Sequence, residues 1–141
     1  MKMRDIIRIV ENLLPNWLTE PLYHGTARND LTFHPKRVAY FAADFPSARR
    51  HALLDAEVDA GTPHVICVRL KSPRPAKIDG ILMQDLHMYP AEVAKLMAQG
   101  HDCAIGIGFA YDGEVAVFPN AKMDIDQIAL IDDQKDQPTP K

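Results

Sequence analysis

VAYFAADFPSARRHALLDAEVDA, residues 38–60, decides the fold class because two periodicities stand in it back to back. VAYFAA is β-branched, aromatic and small, the composition of a strand. From Asp44 the pattern changes: Asp44 suits a helix N-cap, Pro46 falls in the first turn, and no further breaker intervenes before Gly61. A strand therefore runs directly into a helix. On the C-terminal side, HVICVRL (64–70) alternates, with Val65, Cys67 and Arg69 on one face and Ile66, Val68 and Leu70 on the other, until SPRP ends it. On the N-terminal side, PLYHGT (21–26) is a short apolar piece closed by Gly25, and the polar TARNDLTFHPKR after it is a loop.

The outer segments complete the pattern. Residues 3–14 place Ile6, Ile7, Val10, Leu13 and Leu14 on one face of a helix that Pro15 stops. Pro90 opens PAEVAKLMAQG, with Val93, Leu96 and Met97 on one side and Gly100 at the C-cap. DCAIGI and GEVAVF are short strands, IDQIALI is the last strand, and DDQKDQPTPK (132–141) is too polar to pack. This predicts an α+β fold: short strands in mixed or antiparallel array, flanked by helices, in a single domain over 1–131. Residues 1–19 form its N-terminal helix and linker, and 132–141 a disordered tail. Strands and helices do not alternate strictly, so Gly106 and Gly108 in GIGFAYDG are expected in a turn rather than in a dinucleotide phosphate loop.

Composition narrows the function classes. A formal net charge of -3 supplies no global field for nucleic acid, although a local patch is compatible with it. Arg8, Glu11 and Asn12 interrupt the only candidate signal-peptide core, and no apolar run nears the roughly 18 residues of a spanning helix, so a cytoplasmic protein off the membrane is expected. Cys67 and Cys103 sit in apolar runs without zinc or disulfide spacing and are expected as buried free thiols. His34, His64, His87 and His101 have no metal-ligand spacing, so no metal is expected. No GxSxG elbow is present, and Ser47 and Ser72 are the only serines.

LYHGT (22–26), VAYFAADFPSARRHA (38–52) and DGEVAVF (112–118), in this order, resemble the ADP-ribosyltransferase superfamily, in the His-Tyr-Glu branch of diphtheria-type toxins and poly(ADP-ribose) polymerases. LYHGT matches its His-Gly-Ser/Thr step, AYFAADFPSARRHA its Tyr-Phe-Ala/Thr strand and alanine-containing helix, and GEVAVF its late glutamate strand. HVICVRLKSPRPAKID and QGHDCAIGI are similar to segments of small phage and bacterial members, so the likeness covers about residues 20–131. Singly these motifs are common; as an ordered set they are specific.

The resemblance implies split mixed or antiparallel sheets, NAD as co-substrate without metal, and catalysis by His24, Tyr40 and Glu114. Cleaving nicotinamide from ribose builds positive charge at the anomeric carbon, which a carboxylate stabilises. Glu114 takes that role and holds the ribose 2′-hydroxyl; Tyr40 stacks on nicotinamide. His24 donates to a ribose hydroxyl, Gly25 lets its backbone approach the carboxamide, and Thr26 helps as a neighbour. The second stacking aromatic of many relatives falls at His51 here, and a carboxamide-binding serine at Ser47, with Ala48 equally placed for that register. Asp112 stands where arginine-modifying relatives carry Gln or Glu, which leaves the acceptor open. Arg28, Lys36 and Arg37 suit either diphosphate contacts or plain solvation. The implied activity is mono-ADP-ribosylation of a macromolecule, a protein or a nucleic acid, by a bacterial toxin or effector or by a phage enzyme that modifies its host. A toxin would bring an antitoxin or immunity partner. NAD glycohydrolysis and a non-catalytic binding module of the same fold are the alternatives.

Overall fold

The computed structural model describes residues 15–27, 38–59, 61–107 and 113–131. The expected helix over 3–14, the loop with Arg28, Lys36 and Arg37, the stretch with Gly108 and Asp112, and the tail lie outside these residues. A 3-10 turn (Asn16–Thr19) precedes β1 (Leu22–Thr26), β2 (Ala39–Ala42), α1 (Phe45–Asp59) and β3 (His64–Leu70). Then come β4 (Pro75–Asp79), α2 (Gly80–Asp85), a 3-10 turn (Leu86–Met88), α3 (Pro90–Ala98), β5 (Cys103–Ile107), β6 (Glu114–Val117) and β7 (Met123–Leu130).

Local chemistry accounts for the helices. Asp44 caps α1: its carboxylate accepts the Ser47 amide at 2.8 Å and the Ser47 hydroxyl at 2.9 Å, satisfying a donor the helix leaves orphaned. These two bonds hold the Asp44 carboxyl below the usual carboxylate range. α3 starts at Pro90 and closes in a Schellman motif, Gly100 at φ +96 with Gly100 N–H on the Met97 carbonyl and His101 N–H on that of Leu96. α2 begins under Asp79, whose carboxylate takes the amides of Ile81 and Leu82.

The seven strands form one mixed sheet in the order β4-β5-β6-β2-β1-β3-β7. Only β4 and β5 are parallel; every other neighbouring pair is antiparallel. The expected α+β class and mixed array are therefore present. The sheet is hydrogen-bonded throughout, yet β1 and β2 share a single register pair, Tyr23↔Ala42, whereas β1 meets β3 in five pairs and β2 meets β6 in four. One rung joins two half-sheets.

The cores follow that division on one face only. On the face away from α1, α2 and α3, Leu22, Phe41, Ile66, Val68, Cys103, Ile105, Val115 and Val117 make a continuous cluster across both halves, joined by Leu18 of the first 3-10 turn. On the helical face there are two. Ala48, Ala52 and Val65 pack under α1 with Tyr23 and Phe45; Met83, Leu86, Val93, Leu96, Ala104, Ala116 and Phe118 pack under α2 and α3. The Tyr23 ring meets Phe45 edge-on, centroids 5.9 Å apart.

Several sequence expectations are corrected. Gly25 does not close its segment but sits inside β1 opposite Val65. Gly106 belongs to β5, paired with Ile78, rather than to a turn. Cys103 is buried and Cys67 only half so, both free thiols, and burial pushes both above the usual thiol range. β4 and α2 were not anticipated.

Candidate functional site

Strand register determines which side chains meet. Across β2 and β6, Ala42 lies opposite Glu114 and Tyr40 opposite Ala116. Directly opposed residues share a face, so Tyr40, Ala42, Glu114 and Ala116 all look toward the helices. Tyr40 and Glu114 are diagonal neighbours, about 7–8 Å apart. They occupy the interval between the two helical-face clusters, the Tyr40 ring leaning on the one under α2 and α3.

His24 starts from the other face. Its ring lies against that of Phe41, centroids 5.1 Å apart, and its Nδ1 is 2.8 Å from the Tyr40 carbonyl oxygen. If the Tyr23↔Ala42 register continued, His24 would oppose Phe41 and Gly25 would oppose Tyr40; neither pair forms, and the imidazole bridges to β2 instead. A carbonyl only accepts, so Nδ1 carries the proton and Nε2 of the neutral ring presents a lone pair. Burial holds His24 below the usual imidazole range, favouring that neutral form.

The Tyr40 hydroxyl is engaged on every side. It lies 3.0 Å from the Met83 carbonyl and 2.8 Å from that of Gln84, to which its one proton is directed. It also lies 3.1 Å from His87 Nδ1 and accepts the His87 amide at 3.3 Å. The His87 ring meets the Tyr40 ring edge-on at 5.7 Å. Burial raises the Tyr40 pKa, so the phenol is no acid or base near neutrality. Its ring is what remains for a ligand.

Glu114 is half-buried, and burial lifts its carboxyl above the usual range while the charge of His51 opposes the lift. His51 acts on His24 as well. It projects from α1, exposed, one turn after the buried Ala48 and on the flank shared with Ser47. The chain thus gathers His24, His51 and Glu114 into one electrostatic neighbourhood beside Tyr40.

The remaining candidates have structural duties. A Cβ on Gly25 would stand 1.8 Å from the Ala48 carbonyl oxygen, so glycine is required there by the approach of α1 whatever else its backbone meets. The Thr26 hydroxyl is buried and donates to Asp55 at 3.2 Å, and the Ser47 hydroxyl donates to the carboxylate of Asp44, the cap of α1. Sequence reasoning missed Asp55 and His87, because contacts between residues 28 and 47 positions apart leave no local signal. It treated His64 only as a metal candidate. His64 is buried, donates Nδ1–H to the Thr62 carbonyl at 2.9 Å, and leaves Nε2 without a hydrogen-bond partner.

Among the described residues no three His, Cys, Asp or Glu side chains gather as a metal site, and no helix is long and apolar enough to cross a membrane. A depression of about 510 Å³ lined by Leu82, Met88, Tyr89, Pro90, Ala91 and Glu92 lies at the α2–α3 corner and includes none of the candidate residues. No protein-family model, no curated protein and no solved structure matches this chain.

Proposed function

We propose that the chain is an NAD-dependent mono-ADP-ribosyltransferase of the His-Tyr-Glu type that modifies a macromolecular acceptor, as a bacterial toxin or effector or as a phage modifier of its host. The observation that carries the reading is the one-rung junction between β1 and β2. His24 bridges it through the Tyr40 carbonyl, and Tyr40 and Glu114 stand beside it on the helical face. An opened seam in a sheet is a place where backbone groups and side chains of two strands reach one ligand, as switch points do in other α/β sheets.

In this reading nicotinamide lies on the Tyr40 ring with the exposed imidazole of His51 near its other side. The ribose hydroxyls meet His24 Nε2 as acceptor and the Glu114 carboxylate. Glu114 stabilises the positive charge that develops as the glycosidic bond breaks, an effect strengthened by its half-buried setting. Tyr40 takes no proton; its hydroxyl only fixes the ring against α2.

The test is incubation of the chain with labelled NAD and cell lysate. Label on macromolecules supports transfer, release of free ADP-ribose alone makes the chain a glycohydrolase, and no turnover leaves at most a binding module. In each active case Glu114→Gln is expected to lower turnover on the order of 10²–10³; unchanged turnover removes Glu114 from the chemistry.

A further inference from the structure

Beyond Tyr23 the end of β1 is no longer paired with β2, and α1 grips it from above. Gly25 lies flush beneath the Ala48 carbonyl and the Ala52 amide. Ala52 is followed one turn later, on the same side of the helix, by Asp55. Through Oδ2 its carboxylate accepts the Thr26 hydroxyl at 3.2 Å and the Ala27 amide at 2.8 Å. Both residues are buried, so their donors need these partners. The same carboxylate acts on His24, two residues before Thr26, opposing the burial that disfavours its protonated form. The other groups acting on the His24 ring are the imidazoles of His51 and His64 and the Tyr40 carbonyl.

On the NAD reading above, we infer that Asp55 is a positioning residue: it holds the end of β1 against α1, so that the seam to β2 stays open for the nicotinamide end of NAD and His24 stays on the Tyr40 carbonyl. Without that grip, β3 remains as the ladder partner of this segment, and the end of β1 can extend the register that Tyr23↔Ala42 begins. Closing it would pair His24 with Phe41 and Gly25 with Tyr40. The seam would then be ordinary sheet.

Two variants separate grip from charge. Asp55→Asn keeps one oxygen able to accept both donors and removes the charge; Asp55→Ala removes both. NAD affinity is read by calorimetry and the His24 ring by NMR titration, which needs no activity. Asp55→Ala is expected to weaken NAD binding about tenfold, the usual scale for losing a hydrogen bond to a charged group, with a smaller change in kcat at saturating NAD. Asp55→Asn is expected to bind NAD close to wild type and to titrate His24 at lower pH, as loss of a nearby negative charge requires. A folded Asp55→Ala that binds NAD like the wild type, or one whose His24 ring titrates as it does in Asp55→Asn, where the grip is kept and only the charge is lost, overturns the inference while leaving the NAD reading intact. Should Asp55→Ala not fold, Thr26→Val removes one of the two gripped donors, and unchanged NAD affinity in it has the same force. Absence of NAD binding by the unaltered chain overturns both.

Discussion

At the scale of single residues, the same property that suits Glu114 to charge stabilisation makes it costly to the fold. Burial raises its carboxyl above the ordinary 4.5, so the folded chain binds that proton more tightly than the unfolded one. The stabilisation is complete below the unfolded value and is lost as pH rises through the raised one. Glu114→Gln is therefore expected to increase the melting temperature at pH 7, with the gain vanishing below about pH 4, even as it lowers turnover. Thermal melts across that range check the sign. His24 runs the other way: its value is lowered from 6.5, so it favours the fold above 6.5 and destabilises it progressively below. Tyr40→Phe separates ring from hydroxyl. It keeps the stacking face but removes the hydroxyl that donates to the Gln84 carbonyl and accepts the His87 amide, so a stability loss of about 1–2 kcal/mol in urea titration, with NAD turnover largely kept, is expected. The triad was legible in the chain only as an ordered set. That Tyr40 and Glu114 share a face depends on the Ala42↔Glu114 register, a pairing across 72 positions that no local pattern announces. Alternation then puts His24 on the opposite face, where sequence order gave no hint of its bridge.

At the scale of elements, the clearest local signals were the most durable. HVICVRL alternates because β3 lies between two strands with cores on both faces; α1 starts where Asp44 caps it and α3 stops where Gly100 takes a positive φ. β4 and α2 escaped notice for physical reasons. β4 opens on Pro75 and buries only Ala76 fully, and α2 spans six residues, too few for a 3.6-residue period to declare itself. The Asp79 cap was the signal available, and Asp79→Ala should cost about 0.5–2 kcal/mol. The tightest dependence lies between α1 and β1. Gly25→Ala places a methyl 1.8 Å from the Ala48 carbonyl oxygen, so helix or strand must shift. We expect a loss of at least about 1–3 kcal/mol in denaturant unfolding, or failure to fold.

At the scale of the whole molecule, the sheet has two unlike edges. β4 lies at one with α2 continuing from its end, and β7 at the other, where Ile125, Ile128 and Leu130 are 48%, 39% and 73% exposed. Such an edge is held in check by its bulge opposite Cys67/Val68 and by Asp124 and Asp126, which pair with Lys71 just past β3 and with Arg69 on it. These exposed pairs add little stability, at most about 1 kcal/mol each. Asp126→Ile is accordingly expected to change unfolding free energy slightly and to promote concentration-dependent association in light scattering. The lone Tyr23↔Ala42 rung has a dynamic consequence. A continuous apolar layer on one side and two separate ones on the other make the sheet a book bound along its back. The half-sheets should melt together, because they share that binding. They can still fan apart at the rung by sub-global opening, so amides flanking Tyr23 and Ala42 should exchange with solvent well before those of the β1–β3 and β2–β6 ladders.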